Sequence, residues 1–418
     1  MARTTSSDQL PIVVVGAGVI GLAIAFRLIR ESPNVTLIDR GQPGMECSFG
    51  NAGHIATEQI FPLASPATLA RAPRLLWRRD RPLSIRRGYV SNIFPWLMRF
   101  AWAARPSSFR KGTAALASLQ SAAMESLRDL CADAGIESML HRRGHLILVE
   151  DERSTAAART QMQLMSEHGI AVEWMSPDRI AALAPELKRN IAGGIYVAET
   201  GHVGDPLRLC QGLFESFVAA GGQFVQEEVR RIGSGEHGFE LALTSRSLPA
   251  AKVIVAAGAW ARRFAEQTGF DVPLDTERGY HVTAEGWRGS FDVAIASFER
   301  LTIMTPLDAG LRITGFVEFG GLDLPPHPDR IATLHRHLAE LLPGAEMTEL
   351  SEWMGFRPSL ADHLPVIGRS PHDANLIYAF GHQHLGLTLA GVTADIVASM
   401  IGGRDDVVDL QPFRIDRF

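Results

Sequence analysis

A strand, a glycine-rich turn and a helix follow one another close to the start of the chain, and their order constrains the fold more than any other feature. The apolar run Ile12–Val15 is typical of a strand buried on both faces of a parallel sheet. Gly16, Gly18 and Gly21 follow in the pattern G-x-G-x-x-G, which permits a tight turn and a close approach of the backbone to a pyrophosphate. The pattern therefore predicts dinucleotide binding at the N-terminus of the helix.

An acidic residue at the end of the next strand narrows the type of nucleotide. The run Val35–Ile38 is followed by Asp39, where an acid is suited to bind a ribose hydroxyl and would repel a 2′-phosphate. Val19 and Ile20, the first helical residues, and Arg40, directly after the acid, complete the predicted nucleotide end of the site. The ligand is expected to be NAD-like or FAD-like, and this motif leaves both open.

The composition is that of an ordinary soluble globular enzyme, with 46% hydrophobic and 21% charged residues among 418. A net charge of −5 gives no reason to expect nucleic-acid binding. The three cysteines have no metal-binding spacing and fit a reducing compartment without disulfides. The uncharged run from Leu10 to Phe26 coincides with the nucleotide pattern, so we expect neither a signal peptide nor a transmembrane helix, and hence a cytoplasmic location.

A loop of small residues, Cys47–Gly53, follows the acid. Small side chains let a backbone lie close against a flat ligand, although a flexible surface loop has the same composition. Because the loop lies at the carboxyl end of a parallel strand, a ligand contact is favoured. The predicted contacts are Ser48, Asn51, Ala52 and Gly53.

Two later segments repeat the opening theme of a buried strand that runs into a small-residue turn. Lys252–Val255 leads to Ala257, Gly258 and Trp260, and Asn375–Phe380 leads to another glycine. Such a turn is also an ordinary strand–helix junction. Because the chain returns to the same sheet at both segments, further contacts with the nucleotide are favoured.

Between these returns, residues 276–318 alternate or run apolar between turns, which predicts an antiparallel sheet. The fold class is therefore α/β, with a Rossmann-like nucleotide-binding domain on a parallel sheet and an interleaved α+β substrate domain on an antiparallel sheet. Approximate boundaries assign residues 8–60, 190–272 and 352–418 to the first domain and residues 61–189 and 273–351 to the second.

The segment 71–111 is rich in arginine and tryptophan and contains a single acid, Asp80. Such a segment is suited to an anionic membrane surface or an acidic partner. An equally good interpretation is a helical layer whose arginines are solvated and whose tryptophans are buried.

Several motifs in order make the whole chain resemble the D-amino-acid oxidase and glycine oxidase superfamily of flavoproteins, and within it the bacterial D-amino-acid dehydrogenases of small-subunit type. The motifs are the fingerprint with Asp39, the loop Cys47–Gly53, Val255–Trp260, Gly355–Gly368, Gly381–Thr388 and the ending Pro412–Phe418.

The resemblance implies FAD rather than NAD, and it implies roles for three residues outside the fingerprint. Arg357 would bind a substrate carboxylate, because a planar guanidinium matches a carboxylate bidentately. Tyr280 would bond the same carboxylate, and His54 would line the substrate pocket; a structural role is an equal alternative for both. Relatives that attach flavin covalently use a cysteine in the C-terminal part, and this chain has none beyond Cys210, so non-covalent FAD is expected.

The resemblance also places the start of the last helix at the pyrimidine end of the flavin, where a helix N-terminus would stabilise negative charge. The residues that it adds to the cofactor site are Val229, Gly381, His382, His384, Leu385, Gly386, Leu387 and Thr388, together with Arg357.

The implied activity is FAD-dependent oxidative deamination of a D-amino acid, or of a secondary amine such as D-proline or D-hydroxyproline. Electrons would pass to a quinone or another acceptor, which would give segment 71–111 a role at the inner face of the cytoplasmic membrane. The alternatives are an oxygen-using oxidase of glycine or sarcosine type, and a flavin-binding electron-transfer subunit, against which Arg357 argues. No metal is required, and the oligomeric state is left open.

Overall fold

The computed structural model of the chain describes residues 10–345, 347, 349–404 and 408–418. Most helices begin where the sequence supplies a cap or a proline: the Asp205 carboxylate, for example, accepts a hydrogen bond from the Leu207 N–H at 2.9 Å, and Pro206 occupies the first helical position. The helices are α1 (Val19–Ile29), α2 (Pro66–Trp77), α3 (Val90–Ala103), α4 (Pro106–Asp133), α5 (Glu152–Glu167), α6 (Pro177–Leu183), α7 (Pro206–Ala219), α8 (Ala261–Gln267), α9 (Pro328–Leu341) and α10 (Ala390–Ile401).

The strands form two large sheets and two small ones. They are β1 (Ile12–Val15), β2 (Val35–Asp39), β3 (His54–Ile55), β4 (Leu83–Ile85), β5 (Leu140–His141), β6 (His145–Val149), β7 (Val172–Met175), β8 (Gly193–Val197), β9 (Gly201–Val203), β10 (Gln223–Gln226), β11 (Val229–Gly235), β12 (Gly238–Leu243), β13 (Ser247–Ala250), β14 (Lys252–Val255), β15 (Leu274–Glu285), β16 (Ala294–Ser297), β17 (Thr302–Leu307), β18 (Gly310–Phe319), β19 (Glu349–Leu360), β20 (Val366–Arg369) and β21 (Leu376–Phe380).

The sheet that begins with the fingerprint has six strands in the order β10-β2-β1-β14-β21-β20. All neighbours are parallel except β20 and β21. Strand β1 is buried along its whole length, as its unbroken apolar run predicts. The predicted returns of the chain at β14 and β21 are confirmed, since β14 pairs with β1 and β21 pairs with β14.

Helices cover one face of this parallel sheet, where α1, α4 and α10 share a single apolar core. The small antiparallel sheet β11-β12-β13 and helix α8 cover the other face. The carboxyl ends of β1, β2 and β14 therefore open into a cleft between the two layers, which is where ligands bind in such folds.

The second large sheet has nine strands, with the path β19-β15-β18-β17-β16-β6-β8-β7 and with β4 paired to β18. Its central strands are antiparallel, as predicted for residues 276–318. Helices α6 and α9 pack against one face of this sheet. The opposite face meets the small-residue loop 47–53 of the nucleotide domain.

The predicted domain boundaries differ from the structure at β8, β19 and α4. Strand β19 was expected in the nucleotide domain from residue 352 onwards, but it pairs with β15 in the antiparallel sheet. Strand β8 was expected in the nucleotide domain, but it pairs with β6 and β7 in the antiparallel sheet. Helix α4 was expected in the substrate domain, but its apolar face, including Leu119 and Leu127, packs with α1 and α10. A strand is assigned by its partners and a helix by the core that it completes, and neither is visible in local sequence.

Backbone contacts join the end of β19 to the turn after β21. The Gln383 N–H donates to the Pro358 carbonyl at 3.0 Å, and Ser359 forms an isolated antiparallel bridge with His382. The strand of one domain is thus fixed to the last turn of the other.

Within the described residues, no helix combines the length and apolarity needed to cross a bilayer.

Candidate active site

Two glycines of the fingerprint allow the first strand–helix turn to pack against β14. Gly16 has a φ of +108°, and a Cβ on it would lie 2.4 Å from the Ala256 carbonyl oxygen. A Cβ on Gly21 would lie 1.8 Å from the Gly16 oxygen. Any larger side chain would therefore separate helix from strand. Gly18 caps α1 without a side-chain hydrogen bond, which leaves the helix N-terminus facing the cleft.

The side chain of Asp39 holds the two turns that border the nucleotide end. Its Oδ2 accepts a hydrogen bond from the Ala17 N–H at 2.7 Å, and its Oδ1 accepts one from the Gly41 N–H at 2.8 Å. Beside it, the Arg40 guanidinium lies 4.1 Å from the centre of the Trp260 ring, a cation–π contact between two predicted cofactor residues. Asp39, Arg40 and Trp260 together form the wall of the cleft at this end.

The cleft runs from Asp39 to the turn after β21. Most of the predicted cofactor residues line it. They are Gly16, Gly18, Val19, Ile20, Asp39, Arg40, Ser48, Asn51, Val229, Ala257, Gly258, Trp260, Gly381, His382, Gly386 and Leu387.

The other predicted cofactor residues support the cleft from behind. Leu385 belongs to the apolar core of the nucleotide domain. The buried Thr388 hydroxyl accepts a hydrogen bond from the Ala56 N–H at 2.9 Å. Gly53 packs against Val203, where a Cβ would approach the carbonyl oxygen to 3.0 Å. The rest of this group, not among the lining residues, are Gly21, Ala52, His384 and Arg357.

The sequence did not point to two cysteines and one glutamine that also line the cleft. Burial raises the pKa of the Cys47 thiol to about 11 and that of Cys210 to about 12, so both stay protonated at neutral pH. The Gln383 Oε1 bonds His363 Nδ1 at 2.8 Å, whereas its buried Nε2 has no partner among the described residues. Gln383 lies within the histidine-rich turn Gly381–Thr388, so this motif could have indicated it as a residue of the cleft.

The cleft fits FAD on this evidence. At one end, the N-terminus of α1 lines the cleft beside the Ser48 hydroxyl, which accepts a hydrogen bond from the Val19 N–H at 2.9 Å, and such a helix end suits a pyrophosphate. At the other end, Gln383 lines the cleft, and its buried Nε2 has no partner among the described residues, so a polar ring edge would satisfy it. Gly258, with a φ of +53°, has open space where its Cβ would be.

Arg357 lies on β19 at the far end of this cleft. Its Nη1 donates to the Phe316 carbonyl at 2.8 Å, and its Nη2 lies where a Cβ on Gly279 would come within 2.3 Å. No carboxylate among the described residues comes within 4 Å of its guanidinium. Its charge lowers the pKa of both the Cys47 thiol and the His384 imidazole, so it is close to the two.

Two aromatic residues of the antiparallel sheet, Trp353 and His281, hold the loop 47–53 against it. Trp353 covers Gly50, where a Cβ would lie 1.8 Å from the indole. His281 stacks on Trp353 at 5.2 Å and bonds the Gly50 carbonyl through Nδ1 at 3.2 Å. Burial lowers the pKa of His281 to about 3, so its ring is neutral. A glycine at position 50 is therefore required by the tryptophan that faces it.

The expected contact between Tyr280 and the substrate carboxylate is corrected by the structure. In the register of β15 with β19, Tyr280 faces Met354 and Arg357 faces Glu277, which places the two side chains on opposite faces of the sheet. The Tyr280 hydroxyl instead donates to Glu318 Oε1 at 2.9 Å and accepts a hydrogen bond from the His327 N–H at 3.0 Å. Tyr280 therefore has a structural role in the core beneath α9.

His54 is buried beside this end of the cleft, and His384 is partly buried there. His54 Nε2 lies 2.9 Å from Glu58 Oε1, and its Nδ1 bonds the Gly201 carbonyl. His384 Nε2 bonds Gln59 Oε1. Burial, together with the charge of Arg357, lowers the pKa of His384 to about 3. Neither ring is among the residues that line the nucleotide cleft.

A parallel-sheet cleft with a dinucleotide fingerprint lies against an antiparallel sheet, and that sheet carries an arginine without a carboxylate partner among the described residues. This arrangement is the one expected of a flavoprotein oxidoreductase. The profile of the family described as "DAO: FAD dependent oxidoreductase" matches residues 11–400. The chain belongs to this family, and its cofactor is FAD.

Similar proteins carry names from the same family. The chain is 30% identical over 415 residues to a D-amino-acid oxidase of Bradyrhizobium diazoefficiens, covering 97% of this chain and 98% of the relative. It is 29% identical to D-amino acid dehydrogenase 2 of Ralstonia nicotianae, covering 98% and 100%. Among solved structures, glycine oxidase from Geobacillus kaustophilus superposes with a TM-score of 0.75 at 23% identity, covering 98% of this chain and 99% of the other. That superposition supports the predicted fold class.

Proposed function

We propose that the protein is an FAD-dependent D-amino-acid dehydrogenase, whose substrates include secondary amines of the D-proline or D-hydroxyproline type. The observation that carries the proposal is Arg357 at the far end of the cofactor cleft, a partly buried guanidinium that has no carboxylate partner in the part of the chain that the structure describes. A buried cation of this kind favours a ligand with a carboxylate.

The chain's own residues would bind and orient the substrate. Arg357 would hold the α-carboxylate in a bidentate pair, which fixes the α-carbon relative to the turn Gly381–Leu387. When bound in the cleft, FAD would supply the oxidant that takes up a hydride from the α-carbon. The neutral imidazole of His384 next to the arginine leaves the site with a positive charge that attracts the carboxylate. The product would be an imino acid, which water converts to a keto acid and ammonia when the amine is primary.

A substrate panel tests the activity and separates it from its main alternative. D-amino acids, D-proline, D-hydroxyproline, glycine and sarcosine would be offered with a dye acceptor under anaerobic conditions, and again with oxygen alone. We expect D-substrates to reduce the dye and to give little turnover with oxygen. Turnover with oxygen alone would favour an oxidase, for which the oxidase name of the Bradyrhizobium relative is the supporting observation.

The electron acceptor proposed for a dehydrogenase is a quinone, which would be reached through the segment 71–111. Helix α3 exposes Val90, Phe94, Met98 and Trp102, spaced four residues apart and 52% to 67% accessible. Trp96 of the same helix is buried, whereas Trp77 at the end of α2 is 89% exposed. An apolar stripe in a strongly basic segment suits the surface of an anionic bilayer.

Sedimentation with liposomes tests this surface. We expect the protein to bind vesicles that contain phosphatidylserine at low salt, and to be released as the salt concentration rises. The double variant Phe94→Ser/Trp102→Ser should bind several-fold less, whereas Leu164→Ser, which removes an exposed leucine of α5, should bind as the wild type does. Equal binding of the two variants, or no binding of the wild type, would leave the stripe as a surface of the substrate domain.

A further inference from the structure

We propose that His54, Glu58 and His145 form a binding site for a divalent transition-metal ion of the zinc type. The three residues come from two separate parts of the chain. His54 is on β3 and Glu58 is in the loop after it, whereas His145 is on β6 of the antiparallel sheet. An ion bound here would join the two domains beside the active site.

The potential ligand atoms converge. One atom from each of the three side chains lies within 4.8 Å of the others, and all three residues are buried. The His54 Nε2 and Glu58 Oε1 are 2.9 Å apart, and the centres of the two imidazole rings are 4.3 Å apart. Ligands of a tetrahedral zinc ion are slightly more than 3 Å apart, since each lies about 2 Å from the metal, so a small shift of the side chains would admit one.

Hydrogen bonds to backbone carbonyls orient both imidazoles. His54 Nδ1 lies 3.1 Å from the Gly201 oxygen, and His145 Nδ1 lies 3.2 Å from the Ala294 oxygen. A carbonyl only accepts, so each Nδ1 carries a hydrogen, and each ring would present a lone pair at Nε2 when a metal replaces any proton there. This pairing of a metal-binding Nε2 with an Nδ1–H···O=C bond is usual in metal sites.

The carboxylate needs a positive partner in this environment. Glu58 is buried with one oxygen, Oε2, that has no hydrogen-bond partner among the described residues. Although burial acts to raise its pKa, the charge and hydrogen bond of His54 lower it to about 2, so Glu58 is ionised. Burial lowers the pKa of His145 to about 3, which keeps that imidazole neutral.

Two arrangements satisfy the charge of Glu58: a proton on His54 Nε2, or a metal ion shared by all three residues. Only the metal uses the His145 lone pair and the second carboxylate oxygen as well. Two imidazoles and a carboxylate are a donor set of borderline softness that suits Zn²⁺ or Co²⁺ rather than Ca²⁺ or Mg²⁺. A fourth position would remain for water.

Metal analysis of the FAD-loaded protein tests the site. Protein purified without added metal would be equilibrated with a small excess of Zn²⁺, desalted, and its zinc-to-FAD ratio measured by mass spectrometry. We expect about one zinc per FAD in the wild type and at least a tenfold loss of zinc affinity in His145→Asn. The matched control His237→Asn removes an exposed histidine of the β11–β12 turn and should bind zinc as the wild type does.

A ratio near zero in the wild type, or equal zinc in the two variants, would overturn the proposal in favour of a His54 imidazolium–Glu58 ion pair. The wild type also provides a test that needs no variant. Co²⁺ bound to two imidazoles and a carboxylate should give absorption at wavelengths beyond the flavin bands, and added Zn²⁺ should remove it. Absence of such bands at saturating Co²⁺ contradicts the site even if His145→Asn does not fold.

Discussion

Arg357 combines a partly buried position with an incomplete set of partners, because among the described residues its side chain forms one hydrogen bond, to the Phe316 carbonyl. A guanidinium in this state is stabilised by a ligand that brings a carboxylate. Gly279 lies on β15 two residues after Glu277, the residue that faces Arg357. Because Gly279 has no side chain, the arginine side chain has room to lie across β15. The charge and the space are therefore provided by different strands of one sheet.

Replacing Arg357 tests its role in substrate binding. Arg357→Ala should lose roughly 2–5 kcal/mol of transition-state binding, measured as a decrease in kcat/KM, because the carboxylate would be left unpaired. Arg357→Lys should recover only part of this, since an ammonium forms no bidentate pair. FAD content, read from the visible spectrum, should be the same in both variants. Unchanged kinetics in Arg357→Ala would remove the residue from the substrate site.

The sequence placed some residues correctly and could not place others, for a physical reason that Tyr280 illustrates. Alternation in a strand tells which residues share a face, but not which face meets the cofactor. Glu318 and His327, which bind the Tyr280 hydroxyl, are distant in sequence, so nothing local indicates them. The same holds for His54, Glu58 and His145, whose spacing follows no metal-binding motif.

At the level of elements, the loop 47–53 depends on an antiparallel sheet that it does not belong to. Arg312 of β18 donates hydrogen bonds to the carbonyls of Phe49 at 3.0 Å and Asn51 at 2.7 Å. Together with Trp353 and His281, it presses the loop into the shape that borders the cofactor cleft. The sequence shows the small residues of this loop, but it does not indicate that Trp353 packs against Gly50 and requires a glycine there.

A methyl group at position 50 should disturb this arrangement. Gly50→Ala places a Cβ 1.8 Å from the Trp353 ring, which we expect to destabilise the protein by about 1–3 kcal/mol and to weaken FAD binding. Gly88→Ala is the control, because nothing lies within 4 Å of the added Cβ. Unfolding curves and titration of apoprotein with FAD measure the two effects. FAD affinity equal to that of Gly88→Ala would show that the loop does not shape the cleft.

For the whole molecule, buried neutral histidines make stability depend on pH. Burial lowers the pKa of His202, His281, His382 and His384 to about 3. In the unfolded chain these imidazoles are protonated as the pH falls through about 6.5, whereas in the folded protein they stay neutral down to about pH 3. The stabilisation is therefore complete above pH 6.5 and is lost as the pH falls from 6.5 towards 3.

The melting temperature should accordingly decrease as the pH is lowered from 7 to 5. Each such histidine adds a slope of up to about 1.4 kcal/mol per pH unit in this window. His202→Asn should melt with a shallower dependence on pH, and His237→Asn, which alters an exposed histidine, should not. A melting temperature that is constant over this range would mean that these rings are protonated in the folded state.

The sequence predicted the overall architecture better than it predicted the division between the domains. Strand β1, the glycine turn and the returns at β14 and β21 follow from apolar runs and turn residues that are local in sequence. The partners of β8 and the packing of α4 depend on contacts between distant segments, so their predicted boundaries were wrong. Long, uninterrupted patterns predict elements, and only the assembled core decides which layer each element joins.

The backbone contacts between Gln383 and Pro358, and between Ser359 and His382, fix the distance between β19 and the turn after β21. Pro358 directly follows Arg357, and the turn of Gln383 borders the cofactor, so the backbone sets the spacing between the guanidinium and the cofactor. A substrate's carboxylate-to-α-carbon distance is the same for every α-amino acid, and this spacing can match it once for all of them. If the proposed substrate class is right, the side chains that line the rest of the site would have to distinguish one amino acid from another.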